Sequence, residues 1–193
     1  CDYDKALDLY TKAIRINEEL DDKLELGLCF GNMVLVNIDT GDYKTAEENL
    51  AVAMKIFNET SDMFMLGWSN NSGGLINLAK GDCDKALDDF VRSFEINKEI
   101  GHKLGIGVNL NNLGKFYLFK GDIDKALDYF SRSINISEKL GHKWNILNCL
   151  QNIGIVYYYN GDYTNAVEYL EKSLSMKKEF GQEADKIIEA ATY

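Results

Sequence analysis

The sequence predicts an all-α fold, an α-solenoid of stacked antiparallel helix pairs, from three observations. Gly-Asp recurs at 41, 81, 121 and 161, always 40 residues apart, and Asp2 extends the series backwards with Cys1 in the glycine's place. Small and apolar residues follow each Gly-Asp at spacings of four and three: Ala46, Leu50, Ala53; Ala86, Phe90, Ser93; Ala126, Phe130, Ser133; Ala166, Leu170, Ser173. Those spacings put them on one helix face. A second helical pattern precedes each Gly-Asp, clearest in Leu110, Leu113, Gly114, Tyr117 and in Leu150, Ile153, Gly154, Tyr157. One amphipathic pair cannot cover its own apolar faces, so a fixed period carrying two helices per unit means that neighbours stack to complete a core.

The elements follow from the punctuation. Glycine accepts the left-handed conformation that ends a helix, and an aspartate after it caps the next one through its carboxylate. Helices are therefore expected at roughly 2–19, 22–39, 42–59, 62–79, 82–99, 102–119, 122–139, 142–159, 162–179 and from 182 to the end. Residues 1–20 read as the second helix of a cut repeat, 21–60, 61–100, 101–140 and 141–180 as full pairs, and 181–193 as a partial or capping helix, all in a single array. The turns joining one pair to the next, "KEIGHK" at 98–103 and "EKLGHK" at 138–143, again put glycine just after a last helical residue. Proline is absent, so nothing kinks these helices. With no initiating Met and both ends falling inside a repeat, the sequence reads as part of a longer protein.

A hydrophobic content of 46% with 11% aromatics is enough to bury a core. The net charge of −10 argues against nucleic acid or an anionic membrane as partner, because both repel the net field. The charge sits mainly at the ends: residues 1–40 carry nine acidic and four basic side chains, net −5, and residues 161–193 carry seven and four, net −3. No apolar run reaches the ~18 residues of a membrane span, and "CDYDKALDLY" is no signal peptide. Cysteines at 1, 29, 83 and 149 form no CxxC, which excludes a readable zinc or redox motif and fits a reducing, cytoplasmic setting.

"NNLGKFYLFKGDIDKALDYFSRS" and "QNIGIVYYYNGDYTNAVEYLEKS" resemble the tetratricopeptide repeat, with its Leu-Gly, Tyr, Ala and aromatic-or-Leu pattern. The resemblance covers essentially the whole chain. It departs at Asn77, which replaces the tyrosine, and at Met33-Val34 and Asn37; the proline usual after the second helix is missing. The period of 40 against the usual ~34 matches the longer-repeat subtype of spindle-orientation adaptors, kinesin light chains and bacterial peptide-sensing regulators. The resemblance implies a right-handed α-solenoid, a superhelix that binds protein segments.

The first helices carry an unusual face opposite their core stripe: Leu28, Asn32, Leu35; Trp68, Ser72, Leu75; Val108, Asn112, Lys115; Asn148, Asn152, Ile155. A solvent face would be charged, whereas apolar area with few polar groups marks a binding surface. An amide both donates and accepts, so a row of Asn32, Asn112 and Asn152 suits the backbone of an extended peptide. Trp68, Tyr158 and Tyr159 would supply aromatic pockets, Lys115 would meet an acidic group, and Asn71, Asn111 and Gln151 would add polar contacts beside the row. The resemblance implies the same use of an asparagine two residues before the helix glycine, here Asn112 and Asn152; Asn32 matches by register with Val34 in place of glycine, and Ser72 departs. The alternative is that these amides bridge adjacent helices and that Leu28, Leu35 and Leu75 are covered by stacking. Trp144, at a helix start, reads as packing.

His102 and His142 lie in separate turns and read as helix-end residues, and Cys29 and Cys149 as small core residues. No catalytic constellation, metal site or cofactor loop is found. The expected function is a non-enzymatic interaction module, without cofactor, for a protein or peptide ligand in a concave groove. The alternative is a regulatory or oligomerising segment of a larger signalling protein, with self-association among its contacts.

Overall fold

The computed structural model describes residues 2–191, and side chains as far as Gly181. Among the described residues there are nine helices and no strand: α1 (Tyr3–Leu20), α2 (Lys23–Thr40), α3 (Tyr43–Glu59), α4 (Met63–Ala79), α5 (Cys83–Glu99), α6 (Lys103–Phe119), α7 (Ile123–Leu140), α8 (Lys143–Tyr159) and α9 (Tyr163–Ala191). The fold is an all-α solenoid in which α2–α3, α4–α5, α6–α7 and α8–α9 are the antiparallel pairs.

The turns form as the punctuation predicts. Gly41, Gly81, Gly121 and Gly161 take φ between +76° and +79°, a region closed to most side chains by the Cβ. Asp42, Asp82, Asp122 and Asp162 then accept from the backbone N–H three residues on. Side-chain hydrogen bonds from Thr45, Lys85, Lys125 and Asn165, and after them these backbone bonds, stabilise the charged form and hold the four carboxyls below the usual aspartate value. Between pairs, Gly101 and Gly141 are also left-handed, while Asp21 and Ser61 take that conformation without being glycine. His142 caps α8 through Nδ1, which accepts from Asn145 N–H, and His102 Nδ1 lies 3.0 Å from Asn97 Oδ1.

The tenth helix expected from residue 182 is not a separate element. Gly181 stays inside α9, which continues to Ala191. The reason is local: aspartate or histidine stands at 22, 62, 102 and 142, one residue after the turn, but glutamine stands at 182, a poor N-cap that leaves nothing to start a new helix.

The chain divides into two compact units, one through Gly105 and one from Ile106. In the first unit Val34, Ala46, Leu50 and Ile76 form one buried cluster, and Ala53, Phe57 and Leu66 another. In the second, Ala126, Phe130, Cys149, Ile153 and Val156 form a buried cluster. Within each pair, helix glycines let a second-helix side chain rest on the first helix: a Cβ on Gly74 would lie 2.5 Å from the Phe90 ring and one on Gly114 2.5 Å from that of Phe130. Where Val34 replaces the glycine, its counterpart is the smaller Leu50, also buried. One core position departs from expectation: Leu170, in register with Phe130, is 41% exposed.

Candidate functional site

The second unit sets two first helices, α6 and α8, side by side through polar contacts. Asn152 Nδ2 donates to Asn111 Oδ1 at 3.0 Å, and Cys149 Sγ lies 3.3 Å from that same oxygen. Cys149 also lies 3.2 Å from Ser133 Oγ, so its single proton serves one acceptor at a time. Ser133 on α7 donates to the Gly107 carbonyl at 2.6 Å and accepts from Asn145 Nδ2 at 2.9 Å. Asn145 Nδ2 makes a further bond to Ser137 Oγ at 2.8 Å. Ser133 therefore has its donor and one lone pair in use, and the second lone pair when the Cys149 proton turns to it. Burial pushes the Cys149 thiol up to about 11, which keeps it protonated and unreactive.

This network orients a wall. Asn111 and Asn112 are buried and form its base. Lys115, Asn148, Gln151 and Asn152 are half-buried above them. Tyr158 and Tyr159 are exposed at the end of α8, with ring centroids 5.7 Å apart edge to face; Tyr163 meets Tyr158 in the same way at 5.7 Å. Among the described residues no hydrogen bond or ion pair engages Lys115, and burial holds its ammonium below the ordinary lysine value, with nearby Cys149 acting the other way. A half-buried cation without a partner is costly to the free protein and ready for an anion.

In the first unit, α2 leaves Asn32 and Leu35 exposed and Leu28 half-buried, while α4 buries Ser72 and half-buries Asn71 and Leu75. Trp68 packs rather than projecting: a Cβ on Gly31 would stand 3.2 Å from its ring, and the indole joins the Val34 and Ile76 cluster. Trp144 is the reverse case, expected to pack and found 61% exposed at the start of α8. Sequence reasoning placed Ser133 in the core stripe without its role as junction; the recurrence of serine at 93, 133 and 173 was the available signal. Ser93 Oγ donates to Gly67 O at 2.5 Å and Ser173 Oγ to Leu147 O at 3.4 Å, as Ser133 does to Gly107.

Among the described residues no three His, Cys, Asp or Glu side chains converge to hold a metal ion. No described helix is long and apolar enough to cross a membrane.

Comparison with known proteins gives the following. The family profile described as "Tetratricopeptide repeat" matches residues 66–139 and, overlapping, 106–179. No curated protein sequence matches the chain. Among solved structures, a Rap protein complexed with competence and sporulation factor is similar at 17% identity and a TM-score of 0.85, over 94% of this chain and 51% of that one. Aspartyl phosphate phosphatase F from Bacillus subtilis is similar at 17% identity and a TM-score of 0.79, over 93% and 49%. BtubC (BKLC) from P. vanneervenii follows at 20% identity and 0.72, over 93% and 75%. The chain spans about half the length of the first two, and at these identities the likeness is one of fold.

Proposed function

We propose, from the premise that this chain belongs to the tetratricopeptide repeat family, that it is a protein-interaction module whose second unit holds an extended partner segment along α6 and α8. The fold is typically an interaction module, and the finer assignment rests on one observation: Lys115 presents an unpaired, half-buried ammonium beside the coupled amides of Asn111 and Asn152, in a chain of net charge −10. Asn152 and Gln151 meet the backbone of the segment, Lys115 an acidic side chain or terminus, and Tyr158 with Tyr159 an apolar or aromatic one. The burial of Asn112 leaves it a supporting rather than a gripping role. The likeness to a Rap protein complexed with competence and sporulation factor supports the reading at the level of fold.

The test is selection of peptides on the purified protein from a random display library, followed by affinity measurement on K115M and N152A. Recovered sequences that share an acidic position, and that bind K115M at least tenfold more weakly while its melting temperature holds or rises, support the reading. Peptides without an acidic position, or binding indifferent to both substitutions, refute it.

A further inference from the structure

One register that joins the two helices of a pair is filled in three different ways. In α6–α7 and α8–α9 it holds stacked tyrosines, Tyr117 on Tyr129 with ring centroids 5.2 Å apart and Tyr157 on Tyr169 at 5.5 Å. In α2–α3 it holds a buried neutral pair, Asn49 Nδ2 donating to Asn37 Oδ1 at 3.0 Å. In α4–α5 it holds Asn77 and Asp89, the amide donating to Asp89 Oδ2 at 2.7 Å. The position four residues earlier on the first helix carries Met33, Leu113 and Ile153 elsewhere, but Gly73 in this pair. Two large side chains are thus replaced by small ones at one place, and α3, α4 and α5 border a cavity of about 100 Å³ there. All of its lining falls between residues 47 and 89, within the first unit and away from either end of the sequence.

The lining joins an apolar wall of Leu50, Met54 and Ile76 to a polar side that is short of partners. Asp89 is half-buried, and among the described residues it makes no ion pair; the hydrogen bond it accepts comes from the neutral amide of Asn77. Burial raises its carboxyl above the usual aspartate value, with the Asn77 bond acting the other way. Ser69, in the same lining, is fully buried, and its hydroxyl has no hydrogen-bond partner. Glu47 lines the cavity as well, but Lys80 already meets it at 2.6 Å. We propose that this cavity binds a primary alkylammonium group, the ammonium on the Asp89 carboxylate and a short alkyl chain along Leu50, Met54 and Ile76. A cation supplies the charge that neutral donors cannot, and the net charge of −10 draws cations to the protein. The apolar wall calls for methylenes, whereas a hard metal ion would need more oxygens than this lining offers. An ammonium takes single acceptors, which suits a carboxylate whose Oδ2 already serves Asn77 better than does the two-oxygen pairing of a guanidinium. Free alkylamines and the lysine side chain of a partner protein both carry this group. The site lies apart from the α6–α8 wall and does not rest on that reading.

The experiment titrates n-butylammonium and, separately, the methylamide of Nα-acetyl-lysine into the isotope-labelled protein, with backbone amide NMR shifts as readout and n-butanol as the neutral control. Saturable shifts centred on Leu50, Gly73, Asn77 and Asp89 are expected at millimolar concentration. D89N, which keeps the shape and removes the charge, should weaken them at least tenfold, and K115M should leave them unchanged. Filling the cavity with G73L should abolish them; if that variant does not fold, G73A serves, since its methyl would stand 3.0 Å from Asp89 Oδ2. Tighter binding of the lysine derivative supports the proposal with a partner's side chain as the source, and tighter binding of butylammonium supports it with a free amine. Shifts that do not saturate, that n-butanol reproduces, or that persist in D89N overturn it.

Discussion

Asn152 on α8 donates to Asn111 on α6 across 41 residues of sequence, at 3.0 Å, and the accepting oxygen also faces the Cys149 thiol. The two amides are thus unequal partners. Asn111 is the buried anchor and Asn152 the half-exposed arm that it orients.

That inequality separates two substitutions. Asn111→Ala leaves the Asn152 amide without its acceptor, leaves the Cys149 thiol only Ser133 and opens a gap, and should lower stability by about 1–3 kcal/mol. Asn152→Ala removes only the arm, and should cost at most about 1 kcal/mol while weakening peptide binding. Urea denaturation of both variants, beside their peptide affinities, checks the order.

Lys115 should trade stability against binding. Its folded-state value lies below that of the unfolded chain, so the unfolded state binds more protons and stability rises with pH as the lysine range is entered. At neutral pH the charged form is held at a cost. Lys115→Met should therefore stabilise the protein on the order of 1 kcal/mol and weaken a ligand with an acidic group. Its advantage over the parent should shrink as pH approaches the ordinary lysine value, which melting curves from neutral to alkaline pH would record.

Ser69 is the one buried side-chain oxygen without a hydrogen-bond partner among the described residues. Its register explains this: where Cys149 finds Ser133 and Asn111, Ser69 has Ala53 and Gly31 at the equivalent positions. Ser69→Ala should raise stability by about 1 kcal/mol, and Ala53→Ser should do the same if it restores the partner. A fall in melting temperature for Ser69→Ala would mean that its hydroxyl is satisfied in solution.

Two glycines of one pair should fail by different mechanisms. In Gly114→Ala the new methyl would stand 2.5 Å from the Phe130 ring, and forcing the helices apart should cost about 1–3 kcal/mol. In Gly121→Ala the space is open but φ is +76°, so the cost should be only the left-handed strain, about 1–2 kcal/mol. Adding Phe130→Leu should recover much of the first loss and none of the second, as the natural pairing of Val34 with Leu50 suggests.

The helix pairs were legible in the sequence because their signals are local. Gly-Asp carries both the left-handed turn and the cap within two residues, and the stripe through Ala126 and Phe130 needs only helical geometry to be read as buried. The wall was legible only in part. Register alone put Asn111 beside the main row as an added contact, whereas packing made it the base. The same register made Trp68 a pocket aromatic, but the bare backbone of Gly31 gave the indole somewhere to lie.

By itself the sequence determined the turns, the capping groups and the inward stripe, since each depends on residues within a turn or two of helix, and the period, since it is the recurrence of those local signals. Only the tertiary structure decided which amides are sealed, that Lys115 stands without a counter-charge among the described residues, and that α9 runs past Gly181. Those outcomes depend on what a neighbouring helix, distant in the chain, places against each side chain, and burial and pairing are properties of that company rather than of the residue.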